Sequence, residues 1–219
     1  MFMKGIVFMM QNNIKVLGIT GGIGSGKSAV LRYISTKKGT YIVEADALAK
    51  SLMSCGTDLY KDIVDAFGND ILCEDGSFDR EKFGKIVFAD SEKLKKLNSL
   101  VHPSVKNHIK GLIKEAKEGT LLNSRDEKIS LFVIEAALLI EDGYKKICDK
   151  ICYIYADRDI RIERLRDGRG YSKEKSISVM NSQKSDDFYK DNTEYLVDNS
   201  GDLERTKAYV DDMLMELFG

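Results

Sequence analysis

The chain has 219 residues, 43% of them hydrophobic and 32% charged, with a single proline. That is enough for one substantial α/β domain carrying a small insertion, and it excludes a Pro-rich or low-complexity chain. Lys and Arg total 34 against 35 Asp and Glu, a formal net charge of -1, which lacks the basic excess of a nucleic-acid binder.

Residues 1–13 precede the first strand and read as an N-terminal extension. Within them Ile6 to Met10 is too short for a signal-peptide core, and nowhere does the chain approach the roughly 20 apolar residues of a membrane helix. The expected location is the cytoplasm. From Ile14 onward, strand-like and helical patterns alternate. Ile14 to Thr20 is a short apolar strand ending in glycines, and Lys27 to Lys38 has helical spacing. Tyr41 to Val43 is a second strand, followed by Glu44-Ala45-Asp46 and a short helix to about Met53. A mainly helical stretch follows, with apolar faces at Leu59, Ile63, Val64 and Phe67, then at Phe83, Ile86, Val87 and Phe88. His102-Pro103 is expected to open a long helix, with the proline in the first turn, where a missing N–H costs nothing. Lys114 to Lys128 is polar and reads as a surface connection. Leu131–Ile134, Ile151–Tyr155 and Tyr195–Val197 are three further strands, and Leu203–Phe218 is a closing amphipathic helix. Such alternation implies a five-stranded parallel sheet with helices on both faces, and ligands then gather at the carboxyl ends of the strands. The boundaries expected are one domain over 14–219, an inserted helical subdomain over 57–119 and a lid over 158–184. The four cysteines, Cys55, Cys73, Cys148 and Cys152, form no C-x-x-C pair and are expected as buried, reduced thiols.

The strongest motif lies between the first strand and the first helix. Gly21-Gly22-Ile23-Gly24-Ser25-Gly26-Lys27-Ser28 matches G-x-x-x-x-G-K-[ST]. Its glycines let backbone N–H groups converge on phosphate oxygens, and the following helix offers its N-terminus to the same anion. In such a loop Lys27 reaches the β- and γ-phosphates and the Ser28 hydroxyl ligates Mg2+. The chain lacks the Asn-Lys-x-Asp motif that reads guanine, which favours a kinase or an ATPase over a GTPase switch.

The acceptor side is less sharply marked. Asp46 follows the second strand and stands at the sheet edge that carries Lys27. It suits a general base, and it equally suits a helix N-cap. Glu135 ends a strand, where a carboxylate either supports a Mg2+ shell or faces solvent. Arg158, Arg161, Arg164, Arg166 and Arg169 cluster; the glycine-punctuated run Arg166 to Gly170 reads as a mobile lid loop, with a solvated basic face as the plainer alternative. His102 suits contact with an anionic substrate or, more simply, a cap of its helix.

Taken together, these residues resemble the dephospho-coenzyme A kinase family from about Ile14 to Leu217. Besides the loop, the resemblance rests on Glu44-Ala45-Asp46, Phe78-Asp79-Arg80, Leu100-Val101-His102-Pro103, Leu138-Leu139-Ile140-Glu141, Gln183 and Val197-Asp198-Asn199-Ser200-Gly201. Departures are Glu44 for an Asp, Ala29 for a second hydroxyl after the loop, Ala137 for a proline and Glu194 for an Asp. The resemblance implies a P-loop kinase that uses ATP and Mg2+ to phosphorylate the ribose 3′-hydroxyl of dephospho-CoA. It implies catalytic roles for Asp46, Lys27, Arg164 and Arg169, and dephospho-CoA contacts from Asp46, Arg80 and His102. Residues Gly21 to Ala29 would bind nucleotide, the Asn199 loop would lie near the adenine, and Ser28 would bind the metal. The charge balance and the lack of a long apolar run add the expectation of small-molecule partners alone, with no nucleic acid or membrane, and a monomer or weak homo-oligomer is expected. A kinase for another small alcohol and a regulatory ATPase are the rival readings.

Overall fold

The computed structural model describes residues 14–219, so the expected extension over 1–13 lies outside the described residues. Strands β1 (Lys15–Thr20), β2 (Thr40–Glu44), β3 (Leu131–Glu135), β4 (Lys150–Tyr155) and β5 (Tyr195–Asp198) form one sheet in the order β2-β3-β1-β4-β5. Every pairing is parallel, as the strand-helix alternation predicts.

Both faces of the sheet are covered, which explains why its strands are apolar without alternation. Leu131 and Val133 of β3 face helices α1 (Lys27–Ser35) and α9 (Leu203–Phe218) in one core. Phe132 and Ile134, one residue out of phase, face α2 (Ala45–Leu52) and α5 (Ser91–Glu118) in another. Helix α9 contributes Val210, Met213, Leu214 and Leu217, the i, i+3, i+4, i+7 stripe of an amphipathic helix.

Between α2 and β3 the insertion builds a small core of its own. Leu59 and Ile63 come from α3 (Asp58–Phe67), and Phe83 and Val87 from α4 (Arg80–Phe88), with Ile71 between them. The 28-residue α5 is about 42 Å long and serves both cores. Leu97, Leu100 and Val101 pack on the insertion; Val105, Ile109, Ile113 and Ala116 pack on the sheet. The stretch expected as an inserted helical subdomain, 57–119, thus shares its last helix with the sheet core.

Pro103 does not open this helix; it lies inside it. The start signal is Asp90, whose carboxylate accepts from the N–H groups of Glu92 and Lys93. An internal proline costs about 3 kcal/mol, but each buried Val or Ile beyond it stabilises by roughly 1.5–3 kcal/mol, so burial on both sides carries the helix through. The run Arg166 to Gly170 is likewise no loop. It is the last turn of α6 (Arg158–Arg169), closed by Gly170 at φ 64°, a left-handed C-cap. Helices α7 (Lys173–Asn181) and α8 (Asp186–Asp191) follow before β5. The polar connection is shorter than expected, because α5 runs to Glu118; beyond it Asn123 is buried and Leu122 bridges Lys128.

All four cysteines are free, but the expectation of burial fails for two of them: Cys55 and Cys73 are exposed. Cys152 is fully buried and Cys148 half-buried, and burial pushes both thiols up to about 12, which leaves them unreactive at neutral pH.

Candidate active site

Residues 21–26 turn from β1 into α1. Gly24 and Gly26 hold φ of 78° and 85°, a left-handed backbone that favours glycine. Gly26 is the N-cap of α1 and supplies no side chain, so the N–H groups of Lys27 and Ser28 meet no side-chain cap at the mouth of the site. Around this loop lies a cavity of about 490 Å3 lined by the P-loop, Asp46, Glu135, Ala137, Arg164, Arg169 and Gln183.

Register explains why distant residues meet here. Ile19 pairs with Glu135, and Glu135 pairs with Glu44, so β1, β3 and β2 end together. Lys27 Nζ donates to the Gly21 carbonyl at 2.7 Å and lies 3.8 Å from Glu135 Oε1. Burial is the largest influence on Lys27 and lowers its pKa, with Glu135 and Asp46 opposing. Burial likewise raises the pKa of Glu135, with Lys27 opposing. Glu135 therefore faces Lys27 rather than solvent.

Asp46 is the second residue of α2, and the N-cap is Glu44, which makes no side-chain cap bond. The cap alternative for Asp46 is thus set aside. Its carboxylate is exposed toward the cavity, where it has no hydrogen-bond partner among the described residues. Asp46 and Ala137 also line a second cavity of about 190 Å3, walled by His102, Val105, Asp142 and Tyr144. His102 is no cap either. It lies mid-helix, with Nδ1 3.0 Å from Asp142 Oδ1. Arg80, the first residue of α4, is exposed and lines neither cavity.

The arginines separate into two kinds. Arg161 and Arg164 are committed to the P-loop backbone: Arg161 Nε donates to Ile23 O at 2.9 Å, and Arg164 Nη1 donates to Ser25 O at 3.2 Å. Arg164 Nη2 also donates to Asn199 O at 2.8 Å. Arg169 lines the cavity without a hydrogen bond or ion pair among the described residues. Asn199 is 4% exposed; its Nδ2 donates to Ser25 O at 2.7 Å, and its Oδ1 accepts from Thr206 Oγ1 at 3.0 Å. Its side chain is thus turned under the loop. A Cβ on Gly26 would fall 2.2 Å from Asn199 Nδ2, so that glycine is demanded by protein packing as well as by φ.

Sequence reasoning missed Asp142 and the bracing role of Arg161. Neither carries a local signal, since His102 and Asp142 meet only after β3 is threaded through the sheet.

A strand-to-helix glycine loop with an inward lysine, facing carboxylates at the ends of two neighbouring strands, belongs to the P-loop phosphotransferases. The fold agrees: a shikimate kinase from Acinetobacter baumannii superposes with a TM-score of 0.52 at 11% identity, covering 94% of each chain. A Thermus thermophilus structure matches with a TM-score of 0.74 at 26% identity, covering 94% of this chain and all of the other. The dephospho-CoA kinase family model matches residues 15–205. Dephospho-CoA kinases of Bacillus licheniformis and Aquifex aeolicus are each 35% identical, covering 91% and 93% of this chain and 94% and 98% of the relatives. The chain belongs to the dephospho-CoA kinase family.

Proposed function

We propose that this chain transfers the terminal phosphoryl group of ATP to the ribose 3′-hydroxyl of dephospho-CoA, giving coenzyme A and ADP, the last step of coenzyme A biosynthesis. The observation that carries the reading within the site is the seam between the two cavities. Asp46 and Ala137 line both, so a carboxylate stands where the donor cavity meets a second, more enclosed one. The P-loop cavity takes the triphosphate, and the cavity beside His102 and Asp142 takes the acceptor.

The P-loop fits the donor: Gly22, Gly24 and Gly26 line the cavity beside Lys27 and Ser28, at the N-terminus of α1, where no side chain supplies a cap. Mg2+, when bound, neutralises phosphate charge in the transition state. Among the described residues no group of three or more His, Cys, Asp or Glu is placed to hold a metal. The Ser28 hydroxyl would hold the ion together with phosphate oxygens, as Mg2+ prefers. Lys27 leaves the Gly21 carbonyl for the β- and γ-phosphates, and its partial desolvation strengthens that attraction. Asp46 accepts the proton of the 3′-hydroxyl as its oxygen bonds to the γ-phosphorus; the bond from that phosphorus to the bridging oxygen breaks, and ADP leaves. Arg169 has its charge free for the transferring group, and Arg164 supports it from the loop side. Asn199 acts on the nucleotide by holding the P-loop. His102, on the wall of the second cavity, would contact dephospho-CoA there, and Arg80 would contact it only outside both cavities.

No helix among the described residues is long and apolar enough to cross a membrane. The reading is of a cytoplasmic enzyme, monomeric or weakly self-associating, with no nucleic-acid or membrane partner.

Asp46→Asn tests the assignment of the base. It removes the proton acceptor but keeps the shape, so turnover should fall by roughly 100- to 10,000-fold with Mg-ATP affinity unchanged. Turnover within threefold of the parent would remove Asp46 from the chemistry.

A further inference from the structure

The crest of the P-loop is gripped by protein on both sides of one residue. Ile23 N–H donates to Gln183 Oε1 at 2.8 Å, and Ile23 O accepts from Arg161 Nε at 2.9 Å. Arg161 is 5% exposed, and a buried guanidinium is tolerated only where its donors are met. Besides Ile23, they meet Gln183 Oε1 at 3.4 Å and Asp186 Oδ1 at 3.5 Å. The same Asp186 oxygen accepts from the Tyr153 hydroxyl at 2.5 Å, which ties the set to β4. Gln183 lies in the turn between α7 and α8, and Asp186 opens α8.

Two of the motif's glycines answer to this grip. A Cβ on Gly22 would fall 2.3 Å from Arg161 Nη2, and one on Gly24 would fall 2.9 Å from the Arg161 carbonyl oxygen. The close approach of α6 therefore accounts for glycine at both positions, independently of any phosphate. A glycine-rich loop has more backbone freedom to lose than any other sequence. A loop already held by hydrogen bonds has less to lose when a ligand arrives.

We infer that Arg161 and Gln183 are positioning residues that hold the P-loop in its phosphate-receiving shape before nucleotide binds, and so set ATP affinity through the loop backbone. Gln183 carries the link, because its single oxygen joins Ile23 N–H to Arg161. The inference rests on reading the P-loop as the ATP phosphate site, and it does not depend on the acceptor.

The test compares Gln183→Met, which keeps length and loses the acceptor, with the parent chain. Mg-ATP is titrated calorimetrically without any acceptor, and amide exchange is followed at Ile23 in the nucleotide-free protein. Gln183→Met should bind Mg-ATP about tenfold more weakly, equivalent to one lost hydrogen bond. The loss should fall on KM for ATP more than on kcat, and the melting temperature should barely change, since Gln183 is only half-buried. Exchange at Ile23 should be slow in the parent, fast in Gln183→Met and slow again in Gln183→Glu, which restores the acceptor. Unchanged ATP affinity in Gln183→Met, or a fall in kcat with KM for ATP unmoved, overturns the inference. Should Gln183→Met fail to fold, the parent decides: an Ile23 amide exchanging as fast as a free peptide overturns it. A parent that binds Mg-ATP yet ignores dephospho-CoA would sink the proposed function and leave this test intact.

Discussion

The donor and acceptor halves of the site are built to different standards. Behind the donor half, Arg161, Arg164, Gln183 and Asn199 all hydrogen-bond to the P-loop backbone, and Lys27 closes back on Gly21. The acceptor half has one comparable contact, His102 to Asp142. Asp46 and Arg80 stand without hydrogen-bond partners among the described residues, and the insertion that carries Arg80 rests on a small core separate from the sheet. The difference teaches that protein contacts hold the P-loop before any ligand arrives, whereas on the proposed acceptor side Asp46 faces the cavities with its hydrogen-bonding capacity unused among the described residues. Helix α5 joins the two, because it runs from the insertion core to the sheet as one element.

The larger effect across the comparison is expected on the donor side. If that half is preset around one charge, Lys27→Ala should lower turnover by roughly 1,000-fold, with the fold retained, as read by product formation beside a melting curve. Activity above a tenth of the parent's would show that the loop works without its lysine. A smaller effect is expected across the seam. Asp142→Asn keeps the shape beside His102 and removes the charge that holds it, so KM for dephospho-CoA should rise about three- to tenfold while ATP affinity stays put. An equal loss for both substrates would mean that the halves are not independently built, and would break the comparison.

The same contrast governs what could be read from residues alone. The P-loop was legible because its chemistry is contiguous: Gly21 to Ser28 combine turn, cradle, lysine and hydroxyl in one stretch flanked by a strand and a helix. Parallel strands buried on both faces were legible as uninterrupted apolar runs, as in Leu131–Ile134. Longer-range order was not. Arg161 reads as one more arginine in a basic cluster, and only the fold brings it against Ile23. The run Arg166 to Gly170 looks like a loop because of its glycines, but the face carrying Arg161, Arg164 and Leu165 docks and keeps the helix intact to Arg169. Pro103 looks like a helix start, yet the packing of Leu97 to Val101 on one core and Val105 to Ala116 on the other overrides it. His102 could be singled out as a candidate ligand, but its partner Asp142 had no signal in the sequence. Cysteine's usual burial says nothing about a particular turn, and Cys55 and Cys73 lie exposed.

The most direct test of the whole account is ADP release by the purified chain with Mg-ATP, with and without dephospho-CoA, beside shikimate and other small alcohols. The account predicts release only with dephospho-CoA, one coenzyme A formed per ADP. Release that is indifferent to every acceptor would contradict it and point to an ATPase.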